Sequence, residues 1–310
     1  MRALFPLIAA AAAMTTSLTA AGPAGRPPIT NIANFVVKTD NLDEARKFYS
    51  GVLGYDEVFR HKRAIAGAAE IAVFKVNDHQ YIEVAPTLEK ESDDKLIQIG
   101  FETKDARKLR DYLASKGVEV PARAAKDSDG NYSFVVKDPE GHSVEFVEYL
   151  KGSLQSKNDG KGISDRRISD HMLHVGVHVK NPQAQDKFYR EVLGFRFLWQ
   201  GGPRDDRVDW ISLLVPDGDN WIEYMVSYNG PPTPQQLGVW HHVCVGTLDI
   251  QAVYKTVMDR GYKPPREPNL ARDGRMLLQL YDKHNTRTEV MIRKPVQTPC
   301  CSENMDPYIK

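Results

Sequence analysis

The chain is written twice. Lys47-Phe48-Tyr49 recurs as Lys187-Phe188-Tyr189, and Val52-Leu53-Gly54 as Val192-Leu193-Gly194, each pair 140 residues apart. An internal repeat constrains a fold more than any single motif, because two copies of one pattern build two copies of one structural unit. The second copy shows the unit best. Residues 172–179 alternate apolar and small residues with His, the period of a half-buried strand. Asn181-Pro182 then caps and starts a helix, and Gly194 stops it.

Around both copies the order is strand, helix and three strands. In the first copy residues 32–37 read as a strand, 43–53 as a helix, and 56–61, 69–76 and 80–85 as strands. A related unit begins at Lys95, with a strand at 96–102, a helix at 106–116 before Gly117, and a last strand at 143–149. Asp138-Pro139-Glu140-Gly141 provides the turn before that strand. The third unit spans 172–226. The fourth starts at Trp240, with a helix at 249–260 and a closing strand at 286–292.

At 310 residues, 41% apolar and 26% charged, the chain suits a two-domain globular protein. Its formal net charge of +0 and lack of long basic runs argue against nucleic acid or an anionic membrane as partner. Arg2, the apolar run 3–14 and the small residues Thr19-Ala20-Ala21 read as an export signal over 1–21, too short in its apolar part to span a bilayer. An N-terminal anchor is the competing reading; stable membrane insertion is not expected, and the localisation implied is periplasmic or secreted. Of the three cysteines, Cys244 sits mid-strand, while Cys300 and Cys301 are adjacent in the tail. Neighbouring cysteines pair with each other only under strain. The expectation is therefore a mobile tail with exposed thiols, with a bridge to another chain or a bound metal as alternatives.

Repeated units of this order, with Phe48-Tyr49-x-x-Val52-Leu53-Gly54 closing a helix and Asp138-Pro139-x-Gly141-x-x-x-Glu145-Phe146 entering a last strand, resemble the vicinal oxygen chelate superfamily. That group includes glyoxalase I, extradiol dioxygenases, bleomycin- and fosfomycin-resistance proteins and methylmalonyl-CoA epimerase. The resemblance covers about residues 32–292. It implies an α+β fold of four βαβββ units in two tandem cupped half-barrel domains, over 30–150 and 169–294. A Gly-, Ser-, Lys- and Asp-rich linker at 151–168 joins them, and a tail occupies 295–310.

In that family each unit supplies ligands from its first and last strands. The matching positions in the second domain are His174, Glu223, His242 and Glu289. Register selects His242 over His241, because it precedes Asp249 by the seven residues that separate His174 from Asn181. Two imidazoles and two carboxylates suit one divalent cation such as zinc, nickel, iron(II) or manganese. A Glu on the inner face of a sheet is costly to bury without such a partner. The first domain has Asn34, Glu83, Gln98 and Glu145 at these positions. The expectation there is a degenerate site with a structural or pocket-forming role; a weak metal site stays open, since Gln serves as a ligand in glyoxalase I.

Strand alternation places His178, Trp221, Met225, Trp240, Cys244, Arg287 and Met291 on the ligand face. Of these His178, Trp221, Trp240 and Arg287 are expected to bind substrate, Arg287 by clamping a carboxylate and His178 by relaying protons. The His-Glu-His-Glu set is most similar to glyoxalase I. It implies a metal-dependent lyase or isomerase acting through an enediolate on a small carbonyl substrate, with Glu223 or Glu289 moving the proton. An exported protein would meet little glutathione, which counts against glutathione adducts. The alternatives are an extradiol-type dioxygenase, with iron on His174, His242 and Glu289, and a non-catalytic small-molecule-binding protein of the resistance type. Four units in one chain are compatible with a monomer or a homodimer.

Overall fold

The computed structural model describes residues 25–302 apart from 62–64, 66, 69, 227–229 and 231. The expected export signal at 1–21 and the tail residues 303–310 lie outside the described residues. The strands form two eight-stranded mixed sheets, one from each half of the chain, with few and short helices. The α+β fold of paired units is what the repeat implied.

In the first sheet the strands are β1 (Ile29–Lys38), β2 (Glu57–Arg60), β3 (Ala72–Asn77), β4 (Gln80–Ala85), β5 (Leu96–Thr103), β6 (Ala125–Lys126), β7 (Tyr132–Lys137) and β8 (Ser143–Glu148). Their order across the sheet is β2-β3-β4-β1-β5-β8-β7-β6. Each unit folds its last strand parallel to its first, β4 on β1 and β8 on β5, and the two units join through the antiparallel pair β1 and β5. The second sheet repeats the scheme with β9 (Met172–Val179), β10 (Arg196–Gly201), β11 (Trp210–Leu214), β12 (Trp221–Val226), β13 (His242–Thr247), β14 (Asn269–Leu270), β15 (Met276–Tyr281) and β16 (Arg287–Ile292). Its order is β10-β11-β12-β9-β13-β16-β15-β14, so β10 and β14 are its free edges.

The first helix of each half shows why the repeated motif is there. Asn41 caps α1 (Leu42–Arg46) and Asn181 caps α4 (Pro182–Asp186), each through its side-chain oxygen, with Pro182 at the first helical turn. Both helices then widen over Lys47–Val52 and Lys187–Val192, where Leu53 N bonds to Phe48 O and Leu193 N to Phe188 O. Gly54 and Gly194 end them at φ 80°. The longer helices α2 (Ala106–Ser115) and α6 (Ile250–Asp259) begin at Asp105 and Asp249 caps. Among the described residues no helix is long and apolar enough to cross a membrane.

Alternation divides each sheet into two chemically different faces. Phe35, Val37, Ile99 and Phe101 of the first half join Val175, Val177, Tyr224 and Val243 of the second in one continuous buried core. Phe101 meets Phe195 edge-to-face at 5.3 Å across the domain boundary. The opposite, concave face carries the polar set.

The halves are also sewn together by side-chain bonds that follow the repeat. Gln80 accepts from Met172 N (2.7 Å) and donates to Met172 O (3.1 Å), while Asn220, its counterpart 140 residues on, accepts from Ile32 N (3.3 Å) and donates to Met172 O (2.7 Å). The segment between the halves, expected as a linker, has ordered structure of its own. Ser153 caps α3 (Leu154–Lys157), and the buried Lys75 ammonium bonds to the carbonyls of Asn158 and Lys161. Backbone carbonyls aimed at one buried cation give a Gly- and Ser-rich segment a fixed path. Replacing Gln80 with Ala removes the partner of the buried Met172 N–H at the seam, while Asn220 keeps Met172 O bonded, so the unfolding free energy is expected to fall by about 1–3 kcal/mol. A lower urea midpoint at unchanged slope is the measurement.

Candidate metal centre

His174 and His242 meet across the central antiparallel pair of the second sheet. Gly176 lies opposite His242 in that pair, and a Cβ on Gly176 would come 2.0 Å from the His242 ring. The imidazole therefore lies flat over the strand and reaches His174, with Nε2 to Nε2 at 3.0 Å. Glu223 comes from β12 and Glu289 from β16, the parallel neighbours of β9 and β13. Their Oε2 atoms stand 3.8 and 3.5 Å from His174 Nε2, and 3.5 and 3.6 Å from His242 Nε2. Donors bonded at about 2.0–2.3 Å to one cation sit roughly 3–4 Å apart. The four side chains that the register selected are thus brought together at cation spacing, on strands whose pairing leaves little freedom.

Burial makes the set electrostatically demanding. His174 and His242 are 1% and 0% exposed. Burial, with the Arg287 guanidinium adding to it, pulls His242 down to about 3, so its imidazole is neutral. Burial pushes Glu223 up to about 7, with His174 opposing and Glu289 adding to the rise. Glu289 goes the other way: burial raises it, but Arg287, His242 and the hydrogen bond with His174 together hold it below the usual carboxylate range. Two buried imidazoles, that of His242 neutral, with two carboxylates, one of which retains a proton near neutrality, form a donor set that one divalent cation completes.

Two contacts of His242 Nδ1 require opposite tautomers. It lies 3.0 Å from the Trp240 carbonyl, which needs a proton on Nδ1, and 2.8 Å from Arg287 Nη2, which needs a lone pair. Only the tautomer donating to Trp240 leaves Nε2 bare for a cation. Arg287 is tethered close by, with Nε 3.3 Å from Glu289 Oε1, and it also lines the cavity.

That cavity measures about 250 Å³ and opens from His174, Glu223 and Glu289, with His242 buried behind them. Trp221, cross-strand from His174, packs on its ring at 5.0 Å and is backed by the buried Arg275 guanidinium at 5.1 Å. Trp221, Met225, Arg287 and Met291 line the cavity as strand alternation predicts. His178 and Trp240 do not. They stack on each other at 5.3 Å, and His178 lines a separate cleft between the domains with His142 and His241. Four residues along a strand is roughly 13 Å, which carries His178 past the cup on the same face. Burial also takes His178 down to about 4. Cys244 pairs with His174 and Glu289 in the sheet and is fully buried beneath them, its thiol held well above its ordinary value by burial.

Sequence reasoning missed Trp199, Trp210, Leu277, Gln279 and the loop 269–273, all in the cavity wall. Gln279 stands opposite Glu289 and donates to its Oε1 at 3.4 Å. Alternation would have placed Leu277 and Gln279 on the inner face once β15 was recognised as the neighbour of β16.

The first domain answers the same burial problem differently. Asn34 and Gln98 each donate to Glu145 Oε2 at 2.9 Å. His61, which sequence reasoning also missed, fills the cup between Glu83, at 2.8 Å, and Asp129. The carboxylates of this cup thus have side-chain partners of their own, and these residues do not form one of the compact metal-holding groups found among the described residues.

A family model described as the Glyoxalase/Bleomycin resistance protein/Dioxygenase superfamily matches residues 31–146 and 171–290. The chain belongs to this superfamily. Glyoxalase I of Saccharomyces cerevisiae is 24% identical over 181 residues, covering 51% of this chain and 51% of the yeast protein, so the match spans about half of that relative. The lactoylglutathione lyase of Haemophilus influenzae is 27% identical over 104 residues, 33% of this chain and 77% of that protein. Among solved structures, the Mn(II)-bound glyoxalase from Novosphingobium aromaticivorans superposes with a TM-score of 0.65 at 18% identity, covering 89% of this chain and 86% of its own. A variant of homoprotocatechuate 2,3-dioxygenase from Brevibacterium fuscum gives 0.62 at 17%, covering 93% and 77%. The superfamily membership and the donor set agree on one divalent cation.

Two outcomes follow for the centre. Gly176→Ala drives a methyl group into the His242 ring, so divalent metal content by elemental analysis should fall steeply while the far-ultraviolet circular dichroism is retained. A cation must also displace the Glu223 proton, so apparent affinity should drop about tenfold per pH unit below pH 7 and level off above it. The sign for stability is opposite in the metal-free protein. A carboxyl raised above its unfolded value favours the fold at low pH and loses that contribution as pH rises from 4.5 through about 7. The metal-induced rise in Tm should therefore be larger at pH 8 than at pH 5.5.

Proposed function

We propose that the chain is an exported, metal-dependent lyase or isomerase that moves a proton between adjacent carbons of a small carbonyl substrate through an enediolate. The observation that carries this reading is the second carboxylate: Glu223 stands beside Glu289 at the two imidazoles, with its carboxyl pushed up to about 7. A cation held by these residues would act as a Lewis acid toward substrate oxygens. Glu223 is the more exposed carboxylate, with a side-chain exposure of 16% against 7% for Glu289, and it opens onto the cavity. As a carboxylate it takes the proton alpha to the carbonyl; as an acid it returns it. Arg287 donates to an anionic oxygen of the substrate. The three tryptophans keep water out and favour a substrate with an apolar or aromatic body.

Glu223→Gln is expected to retain metal while lowering exchange of the alpha proton of simple α-hydroxy and α-oxo carbonyl compounds by about 10²–10⁴-fold, followed as solvent deuterium incorporation. Glyoxalase-like chemistry is abandoned if the wild-type protein catalyses no such exchange with any divalent metal.

The aromatic wall also favours a second reading, an extradiol-type dioxygenase with His174, His242 and Glu289 as ligands. Glu223 counts against it, since oxygen chemistry needs that position open. Oxygen uptake by the iron-loaded protein with catechol, absent under the first reading, decides between them. A non-catalytic, resistance-type binding role would leave both assays silent and metal content insensitive to Glu223→Ala.

A further inference from the structure

The expected mobile tail is instead a strap with a disulfide in it. Cys300 and Cys301 are bonded to each other. The strap begins at the turn between β14 and β15, where Val296 N and Gln297 N donate to Gly274 O at 2.8 and 3.2 Å and Cys300 N donates to Arg272 O at 3.0 Å. It ends at the β10 edge, where Trp199 Nε1 donates to Cys300 O at 2.9 Å and Gln200 exchanges two bonds of 3.0 Å with the Ser302 hydroxyl. Since β10 is one free edge of the sheet and this turn leads out of β14, the other, residues 296–302 tie the two open sides of the cup together. Trp199 and Arg272 touch the strap on one side and line the metal cavity on the other.

The contact is built rather than incidental. Gly274, at φ 84°, lets the strap approach so closely that a Cβ there would meet Gln297 O at 2.1 Å. Cys301 sits at φ 75°, a left-handed conformation that few residues other than glycine adopt. Cys300 is half-buried against the tryptophan cluster, whereas Cys301 is exposed beside the Arg272 guanidinium, with Nη2 3.4 Å from its sulfur.

We propose that Cys300–Cys301 is a redox-active site which takes two electrons from a dithiol and thereby releases the strap from the mouth of the metal cavity. A thiolate of the dithiol attacks the exposed Cys301 sulfur, beside which Arg272 is ion-paired with Asp205. The Cys300–Cys301 bond breaks, and Cys300 leaves as a thiolate and takes up a proton. The second thiolate then attacks its partner sulfur in the mixed disulfide and frees Cys301, which is protonated in turn. The dithiol ends as a disulfide and the strap as two thiols. Freed of the cross-link, Cys301 relaxes from its left-handed backbone. The Cys300 carbonyl no longer stays on Trp199, and the edges part.

The test compares the full-length oxidised chain with the same chain reduced by dithiothreitol and desalted. Under native conditions reduction should expose two thiols, with Cys244 remaining buried. It should raise acrylamide quenching of tryptophan fluorescence and speed removal of a loaded Zn²⁺ by a chelator several-fold. The double variant Cys300→Ser/Cys301→Ser should behave as the reduced form does and ignore the reductant. The proposal is overturned if oxidised and reduced chains show equal quenching, if the double variant still responds, or if dithiothreitol liberates no thiols. The quenching and thiol readouts need no metal, so they stand or fall separately from the reading of the centre.

Discussion

Two carboxylates and two imidazoles buried on one concave face set the terms for the second half of this protein. Glutamates 223 and 289 cannot both be ionised in that setting without a compensating charge, and the opposed directions of their carboxyls express it. Everything around them keeps the problem in place: Gly176 makes room for the His242 ring, Trp221 wedges His174, and the backing of Arg275 prevents Trp221 from yielding. The cost is carried by the core behind the sheet, where both halves share one apolar interior.

The first half shows that the fold itself does not require this arrangement. Its topology is the same and its concave face is equally buried, yet Asn34 and Gln98 place amide N–H groups where imidazoles stand in the second half. Amides bond to a carboxylate and satisfy it without a cation. His61 then completes the closure by crossing between Glu83 and Asp129. One scaffold therefore has two answers to buried carboxylates, an internal hydrogen-bond network and a cation site. The difference lies in a few side chains on strands of unchanged register.

Much of this was legible in the sequence. The 140-residue repeat fixed the unit order, the asparagine caps and the glycine stops, because these depend on local backbone chemistry. The four converging side chains were legible through the family resemblance and the alternation of strands, since register carries every second residue to one face. His178 and Trp240 show the limit of that rule: alternation gives the face of a residue and not how far along the cup it lies. His61 and Trp199 were invisible because the groups that fix them, Asp129 and the Cys300 carbonyl, are distant in sequence.

Sequence by itself determined the elements, their duplication and the chemical types on each inner face, all of which follow from spacing and residue identity within a few dozen positions. Only the tertiary structure decided that the Lys75 ammonium bonds into the linker, that the carboxylates of one cup meet amides and a histidine of their own while those of the other converge on two imidazoles, and that the tail joins the β10 edge to the β14–β15 turn. These facts rest on contacts between groups tens to hundreds of residues apart, and packing alone sets their distances.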